Sequence, residues 1–267
     1  DVAIILGPGV NLKRTPLCGR NFEYFSEDGV LAGKLAAAYI EGVQSKGIGT
    51  SLKHFAANNR EYDRFFQSSE MDERTLRETY CRAFEIALKA KPWTVMCSYN
   101  PVNGVYASEN KHLLNDILRN ELGFDGVIVS DWGAVKHRAK SLKAGIDLAM
   151  PYNADYEKQL TDWYEKGLIG EDDLDRSIER LSELAEKYRS ADSRRKVTMT
   201  EKQKHELAVR AAKECAVLLK NDDDILPVCG DKRIAVIGGF AENPEFQGGG
   251  SSRVNAKVSQ SLCDCLK

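Results

Sequence analysis

The sequence predicts an α/β fold with a parallel sheet, the class that contains (β/α) barrels and open doubly wound sheets. Two observations predict it. Short apolar runs alternate with amphipathic helical stretches over the first two-thirds of the 267 residues, and polar residues follow several of the apolar runs. A strand followed by a helix, when repeated, gives parallel strands joined by right-handed crossovers. This pattern alone leaves the choice between a barrel and an open sheet undecided.

The strands and helices of this region follow from the local patterns. Strands are predicted at Val2–Leu6, Thr50–His54, Thr94–Ser98, Gly126–Ser130 and Gly145–Met150. Helices are predicted at Asp28–Lys46, Asp72–Lys91, Asn110–Leu122 and Val135–Ala144. The second of these helices opens with the acidic turn MDER, which is typical of a helix N-terminus because negative charge there complements the helix dipole.

After Pro151 the sequence changes character. Polar-faced helices are predicted at Glu157–Gly167 and Glu171–Arg189, and the charged segment SADSRRKVT is predicted to be a linker. A further helix is predicted at Glu201–Lys220. A turn-rich segment then leads to a predicted strand at Arg233–Gly238, which indicates that a second α/β domain begins near Asp231.

We therefore predict three regions. Residues 1–190 form a barrel-type domain that is incomplete at its N-terminus, and residues 191–230 form a linker and a helix. Residues 231–267 begin a second domain, which at this length cannot bury a core of its own.

Composition excludes some classes of function. The 38 basic and 40 acidic residues nearly cancel, so nothing indicates a nucleic-acid partner. No apolar run approaches the roughly 20 residues that span a bilayer, so we expect no membrane partner. The seven cysteines are irregularly spaced, which favours free thiols in a reducing compartment. We expect a cytoplasmic protein, with secretion left open because the sequence opens directly on a strand.

The segment GFDGVIVSDWGAV places Asp131 directly after an apolar strand. One interpretation is that Asp131 or Ser130 caps the helix that follows. The other is catalytic, because the carboxyl ends of barrel strands carry the active site. An ionised Asp131 beside the flat, apolar Trp132 suits a carbon that becomes positively charged, as in glycosyl transfer.

A second polar cluster follows the strand in SLKHFAANNREYDR. Lys53 and His54 end the strand, and Asn58, Asn59 and Arg64 lie in the loop. A single Lys or His is more often structural, but several polar groups at one strand end suit a ligand rich in hydroxyl groups.

Three further segments supply candidate residues. The segment PLCGRNFEYFSED supplies Arg20 and Glu23. One interpretation is structural, in which each pairs with a buried neighbour. The other is functional, in which the planar guanidinium of Arg20 donates hydrogen bonds to sugar hydroxyls. In VMCSYN, Met96 within the strand is typical of a core, and Tyr99 at the strand end can bind a ring. GGGSSRVN resembles a phosphate loop only weakly, because no Lys-Ser/Thr pair closes it.

Together these segments resemble the β-glucosidases of glycoside hydrolase family 3. The matching text is GPGVNLKRTPLCGRNFEYFSED, KHFAANN, PWTVMCSYNPVNG and GFDGVIVSDWGAV, in that order, and the resemblance continues through AVLLKN to GGGSS. The resemblance implies a TIM-like (β/α) barrel followed by the beginning of an α/β sandwich domain. It also implies that Asp131 is the catalytic nucleophile and that Trp132 forms a wall of the sugar site. The remaining sugar-binding residues that it implies are Arg20, Lys53, His54, Arg64, Met96, Tyr99 and Ser252.

The resemblance also implies parts that lie outside this sequence. The early barrel strands, with an Asp that holds sugar hydroxyls, are expected before Asp1, and the general acid/base, a Glu of the second domain, is expected beyond Lys267. Glu242 and Glu245 stand too early in that domain to be assigned. The subgroup that acts on N-acetylglucosamine carries a KHFPGHG-like loop, so KHFAANN disfavours that chemistry.

The sequence therefore predicts a retaining glycoside hydrolase that releases terminal β-linked glucose, without a metal or an organic cofactor. The expected partners are a small carbohydrate and the part of the enzyme, or a companion chain, that carries the acid/base; a homo-oligomer is compatible with the sequence. The alternatives are a β-xylosidase or arabinosidase of the same family, a non-catalytic sugar-binding fragment, and an aldolase-type enzyme with Lys53 as Schiff-base nucleophile.

Overall fold

A computed structural model describes residues 2–191, 199–230 and 232–266. The chain folds as two compact units, Asp1–Arg195 and Lys196–Lys267. Residues 192–198 of the predicted linker, and Asp231 at the predicted start of the second domain, lie outside the described residues.

The first unit is built around a parallel sheet. Its strands lie in the order β1 (Ile4–Ile5), β2 (Gly49–Phe55), β3 (Thr94–Cys97) and β6 (Val127–Val129). A short antiparallel pair, β4 (Pro101–Val102) and β5 (Val105–Tyr106), follows β3. Every pairing within the main sheet is parallel, so the predicted α/β class with crossover connections is confirmed.

Helices connect the strands. The α-helices of the first unit are α1 (Gly29–Gln44), α2 (Glu73–Thr75), α3 (Arg82–Ala87), α4 (Arg138–Ala144), α5 (Asp155–Glu165) and α6 (Glu171–Ser190). A π-helical segment, Leu76–Tyr80, joins α2 to α3, and a second one, His112–Glu121, precedes β6. The predicted helices of this unit are therefore present, with ends that differ from the predicted ones by a few residues.

Helix α1 shows how local sequence fixes an element. Its N-terminus is capped by Asp28, whose Oδ1 accepts a hydrogen bond from the Leu31 amide at 2.7 Å. On its inner face, a Cβ added at Gly33 would lie 2.7 Å from the Cβ of Ile86, so only glycine lets α1 approach α3 this closely. The two helices together cover one face of the sheet.

The two faces of the sheet are buried against different partners. Leu52, Val95 and Ile128 belong to the main core together with residues of α1 and α3. Alternate residues of the same strands, Met96 and Val129 among them, form a second cluster on the other face. Each large apolar side chain that is fully buried stabilises the fold by about 1.5–3 kcal/mol. A shift of one residue in strand register would turn these side chains to the other face, so their burial fixes the register.

The predicted strand at Gly145–Met150 is wrong, because this segment pairs with β6 at a single position instead of along its length. Among the described residues, the pairing there is one isolated bridge, between Val129 and Leu148. Gly145 ends α4 in a left-handed conformation with φ of 116°. The amide of Ile128 donates to Oδ2 of Asp147 at 2.8 Å, so a side chain takes the place of a backbone partner.

In the second unit the structure corrects two predictions. Helix α7 (Glu201–Glu214) ends before the predicted Lys220, where Leu219 is 92% exposed, so there is no buried apolar face to extend the helix. No strand forms at Arg233–Gly238 within the described residues of this unit, and Ile237 is 94% exposed. A strand requires a neighbour to pair with. A short helix, α8 (Leu262–Cys265), lies near the end of the part of this unit that the structure describes.

Within the described part of the chain, no helix combines the length and the apolar character that crossing a bilayer requires.

Candidate active site

The carboxyl ends of β2, β3 and β6 meet at one edge of the sheet, where polar side chains gather. Asp131 comes two residues after β6, Tyr99 comes two residues after β3, and Lys53 and His54 lie in β2 itself. The loop after β1 adds Arg20. Because parallel strands end at the same edge, residues that are far apart in the sequence come together here.

Asp131 is held in place by one of its carboxylate oxygens. Its Oδ1 accepts a hydrogen bond from the Trp132 amide at 2.7 Å. Its Oδ2 is buried and has no hydrogen-bond partner among the described residues, and it lies 3.5 Å from Nε2 of His54 and 3.8 Å from Nη1 of Arg20. Helix α4 is capped by His137 rather than by Asp131 or Ser130, so the helix-cap interpretation is wrong.

His54 is fully buried and firmly anchored. Its backbone amide donates to Oδ1 of Asn11 at 2.9 Å, and its carbonyl accepts from Nδ2 of the same Asn11 at 3.0 Å. Burial lowers the pKa of His54 well below its ordinary value, and the positive charges of Arg20, Lys53 and Arg64 lower it further. The ring is therefore neutral at physiological pH.

Arg20 and Lys53 share one carboxylate. Glu23 accepts a hydrogen bond from Nε of Arg20 through Oε1, and its Oε2 lies 3.1 Å from Nζ of Lys53. Burial alone raises the pKa of Glu23, but the Arg20 hydrogen bond and the charges of Lys53 and Arg20 outweigh it and lower the pKa. Glu23 is therefore ionised, and it holds Lys53 and Arg20, the second of which lies beside Asp131.

Arg64 reaches the same edge from the loop after β2. Its Nη1 lies 2.5 Å from Oε2 of Glu61. Its guanidinium carbon lies 4.4 Å from the centroid of the Tyr99 ring, a cation–π arrangement. Burial and the negative charge of Asp131 raise the pKa of Tyr99, so its hydroxyl stays protonated. Phe65 packs edge-on against Tyr99 with 4.7 Å between ring centroids, which holds this wall of the site in place.

The other predicted site residues lie in different surroundings. Met96 is 2% exposed and packs with Val127 and Val129, so it contributes to packing beneath the polar cluster. Trp132 is 62% exposed and presents its ring at the rim. Ser252 belongs to the second unit, where its Oγ donates to the carbonyl of Gly249 at 2.7 Å.

The two asparagines of KHFAANN are both buried. Nδ2 of Asn59 donates to the Leu12 carbonyl at 2.6 Å, which ties the loop after β2 to the loop after β1. Both side-chain polar atoms of Asn58 lack a hydrogen-bond partner among the described residues.

Three residues that the sequence patterns did not predict contact the predicted site residues and support them. Asn11 lies within the quoted segment GPGVN, and its position just after a strand was a usable signal. Glu61, which holds Arg64, and Tyr24, whose hydroxyl lies 3.2 Å from Nδ1 of His54, carried no sequence signal of their own. Among the described residues, no group of three or more His, Cys, Asp or Glu side chains is arranged to hold a metal.

The geometry is that of a carboxylate with one free oxygen among basic side chains, at the carboxyl edge of a parallel sheet. Residues 1–184 match the family model described as the glycosyl hydrolase family 3 N-terminal domain. The chain belongs to glycosyl hydrolase family 3. Its sheet and crossover helices are therefore part of the TIM-barrel-like α/β fold of that domain.

Curated family 3 relatives align with nearly all of the chain. Thermostable β-glucosidase B of Acetivibrio thermocellus is 49% identical over 257 residues, which cover 95% of this chain and 34% of the relative. An exo-α-(1→6)-L-arabinopyranosidase of Bifidobacterium longum is 50% identical over 277 residues, which cover 99% of this chain and 36% of the relative. The chain thus spans about a third of the length of these family 3 enzymes.

Solved family 3 structures have the same fold. The GH3 β-glucosidase of Bifidobacterium adolescentis superposes with a TM-score of 0.90 at 50% identity, covering 99% of this chain and 39% of that one. β-Glucosidase 3B of Thermotoga neapolitana in complex with α-D-glucose superposes with a TM-score of 0.90 at 38% identity, covering 98% of this chain and 38% of that one.

Proposed function

We propose that this chain is the nucleophile-bearing part of a retaining β-glucosidase and that Asp131 is the nucleophile. The observation that carries the proposal is the state of the Asp131 carboxylate. One oxygen is fixed by the Trp132 amide, while the other is buried, unpaired and flanked by His54 and Arg20. A carboxylate that is oriented but not neutralised is suited to attack an electrophilic carbon.

The reaction proceeds in two displacement steps. In the first, Oδ2 of Asp131 bonds to the anomeric carbon, the glycosidic bond breaks, and a carboxylic acid protonates the leaving oxygen. In the second, the same group takes a proton from water, the water oxygen bonds to the anomeric carbon, and Asp131 leaves as a carboxylate. The sugar departs with its original anomeric configuration.

We propose that the acid/base is contributed by residues outside this chain. Glu23 is unsuited to that role, because Arg20 and Lys53 hold it ionised through a lowered pKa, whereas a general acid requires a raised one. The carboxyl group that completes the site should lie about 5–5.5 Å from that of Asp131, as retaining enzymes require.

The basic and aromatic residues around Asp131 would bind the sugar. Arg20, Lys53 and Arg64 present donors to hydroxyl groups, and neutral His54 can donate or accept one. Tyr99 and Trp132 offer ring surfaces, and Met96 supports the floor. A sugar-binding role for Ser252 is also proposed, and it rests on the family resemblance alone.

Glucose is the sugar that we propose, because the family 3 structures of high similarity include a β-glucosidase in complex with α-D-glucose. The 50% identical arabinopyranosidase keeps a second candidate open. A comparison of kcat/KM for nitrophenyl β-D-glucoside, β-D-xyloside and α-L-arabinopyranoside in the complete enzyme shows which sugar is preferred. A larger kcat/KM for either pentoside would reject glucose as the preferred sugar.

The proposal is tested by trapping the covalent intermediate. The complete enzyme is inactivated with a 2-fluoro glucoside and digested, and the labelled peptide is sequenced by mass spectrometry. We expect the label on Asp131 and none on an Asp131→Asn variant. Label on another carboxylate would reject Asp131 as the nucleophile.

The structure disfavours the aldolase-type alternative. A Schiff-base lysine requires a free amine in an apolar pocket, whereas Nζ of Lys53 lies 3.1 Å from the carboxylate of Glu23. Complementation, in which this chain is combined with a second polypeptide, distinguishes an enzyme from a non-catalytic sugar-binding module. Turnover that appears when the chain is combined with the missing acid/base region supports an enzyme, and sugar binding without turnover supports a module.

We also propose a cytoplasmic location, supported by the seven cysteines, all within the described residues and all free. Fractionation of the source cells tests it, and recovery of the protein from the medium would reject it. The oligomeric state stays a prediction that the mass of the complete protein in solution would test.

A further inference from the structure

The two ring nitrogens of His54 lie in different surroundings. Nε2 points toward Oδ2 of Asp131 at 3.5 Å and has no hydrogen-bond partner among the described residues. Nδ1 lies 3.2 Å from the hydroxyl of Tyr24 and 3.2 Å from Oδ1 of Asn11. Because a neutral imidazole carries one proton, these neighbours decide which nitrogen is the donor and which is the acceptor.

The neighbours favour a proton on Nε2. With that tautomer, Nε2–H faces the Asp131 carboxylate, and the lone pair of Nδ1 accepts the Tyr24 O–H. With the other tautomer, Nδ1–H can donate to Oδ1 of Asn11 at 3.2 Å, but the Nε2 lone pair then faces a carboxylate oxygen and the buried Tyr24 hydroxyl loses Nδ1 as its acceptor. An unsatisfied buried donor is costly, whereas Oδ1 of Asn11 keeps its bond to the His54 amide in both cases.

The position of Tyr24 is fixed by packing rather than by the ring of His54 alone. Tyr24 is 3% exposed. A Cβ added at Gly9 would lie 2.9 Å from Cδ1 and Cε1 of the tyrosine ring, so glycine makes room for this ring. Gly9 also forms isolated parallel bridges with both Tyr24 and Lys53, which tie the loop that carries the tyrosine to strand β2.

We propose that Tyr24 is a positioning residue: its hydroxyl donates to Nδ1 of His54 and holds the ring in the tautomer that presents Nε2–H to the reaction site. This role rests on the function proposed for Asp131. In the free site Nε2–H points at the nucleophile carboxylate, and with substrate bound it is available to a sugar hydroxyl or oxygen lone pair. Tyr24 thus determines that His54 acts as a donor.

The tautomer is measured directly by NMR. The complete enzyme is labelled with ¹⁵N-histidine, and the resonances of His54 are identified as those that disappear in His54→Gln. An unprotonated imidazole nitrogen resonates far downfield of a protonated one, so the spectrum shows which nitrogen carries the proton. We expect Nε2–H in the unmodified chain. In Tyr24→Phe, where Oδ1 of Asn11 is the remaining polar neighbour of Nδ1, we expect a shift toward Nδ1–H.

Kinetics of the complete enzyme supply the second readout. Tyr24→Phe should lower kcat/KM by about tenfold, the effect of one oriented hydrogen bond. The matched control is Tyr80→Phe, which removes a hydroxyl that accepts from Nη1 of Arg14 at 2.6 Å, and it should leave both the His54 spectrum and the kinetics unchanged.

Three results overturn the proposal: Nδ1–H in the unmodified chain, an unchanged His54 spectrum in Tyr24→Phe, or the same loss of activity in Tyr80→Phe. The tautomer does not depend on hydrolysis. If the 2-fluoro glucoside labels another residue while the spectra behave as expected, the proposed function fails and the tautomer assignment stands.

Discussion

Nε2 of His54 lies 3.5 Å from Oδ2 of Asp131, and neither atom has a hydrogen-bond partner within the described residues. A buried polar atom that is left unpaired costs about 1–3 kcal/mol. Two such atoms that face one another mark a place where a ligand supplies the missing partners. The pair therefore supports the proposal that substrate binds beside Asp131.

Asp147 is the contrasting carboxylate. It is more buried than Asp131, and its oxygens are paired: Oδ2 accepts from Arg119 and from the Ile128 amide at 2.8 Å each, and Oδ1 accepts from Arg180 at 3.2 Å. Burial lowers the pKa of Arg119 to about 10, although the charge of Asp147 opposes this shift. Both oxygens are occupied, so Asp147 joins elements of the fold and has no free oxygen for chemistry.

Asp131→Asn should abolish turnover while the fold is kept. An amide of nearly the same size retains the contact with the Trp132 amide but cannot attack a carbon, so we expect kcat to fall by about 10⁴-fold or more. Steady-state hydrolysis of a nitrophenyl glucoside by the complete enzyme measures it. Asp125→Asn, at an exposed position of the same segment, is the control and should retain full activity.

Arg64→Lys should weaken substrate binding more than catalysis. Lysine keeps the charge but loses the planar group that lies over Tyr99 and pairs with Glu61. We expect KM to rise about tenfold, which corresponds to ~1.4 kcal/mol, with a smaller change in kcat. Arg74→Lys, at an exposed arginine paired within its own helix segment, should change neither constant. A fall in kcat at unchanged KM would contradict the assigned role.

His54 should make the chain less stable in acid. Its folded-state pKa lies well below the ordinary value of 6.5, so below pH 6.5 the unfolded chain binds a proton that the folded chain does not. The stability is complete above pH 6.5 and falls as the pH drops, by on the order of 1 kcal/mol per pH unit. Urea unfolding at pH 7 and pH 5.5 measures this loss. His54→Gln should lose less stability over the same range, and an equal loss in both proteins would contradict the prediction.

Asp147→Ala should destabilise the fold strongly. The substitution leaves the buried guanidinium of Arg119 without its carboxylate and the Ile128 amide without an acceptor. Removing one partner of a buried ion pair costs about 3–5 kcal/mol. Urea unfolding should show that loss, whereas Glu78→Ala, which removes an exposed carboxylate paired with the exposed Arg74, should cost less than about 1 kcal/mol. Comparable losses would show that Asp147 is not the anchor described here.

Local patterns predicted most of the first unit. Apolar periodicity predicted the strands at Thr50–His54 and Thr94–Ser98 and the helical region between them. The spacing of apolar residues along each element matches the face that it buries. The pattern failed at Arg233–Gly238 and Gly145–Met150. Both segments are apolar enough for strands, but a strand forms only where a neighbouring backbone is free to pair along its length.

By itself, the sequence determined the fold class, the family and the polar residues that gather at the strand ends, because these depend on residue type and order along the chain. It did not determine how those residues face one another. Strand alternation would turn the neighbours Lys53 and His54 to opposite faces, whereas the register of β2 against β3 shifts between Lys53 and Phe55 and both side chains reach the site.

Only the tertiary structure decided which carboxylate keeps an oxygen without a hydrogen-bond partner and which residues hold the neighbouring side chains in place. Asp131 follows an apolar strand and Asp147 lies within a short apolar segment, and the donors that other elements bring to the two carboxylates are different. Tyr24 is adjacent to His54 through a loop that closes across 30 residues. Partners that are distant in sequence leave no local pattern, so their pairing becomes visible only when the chain is folded.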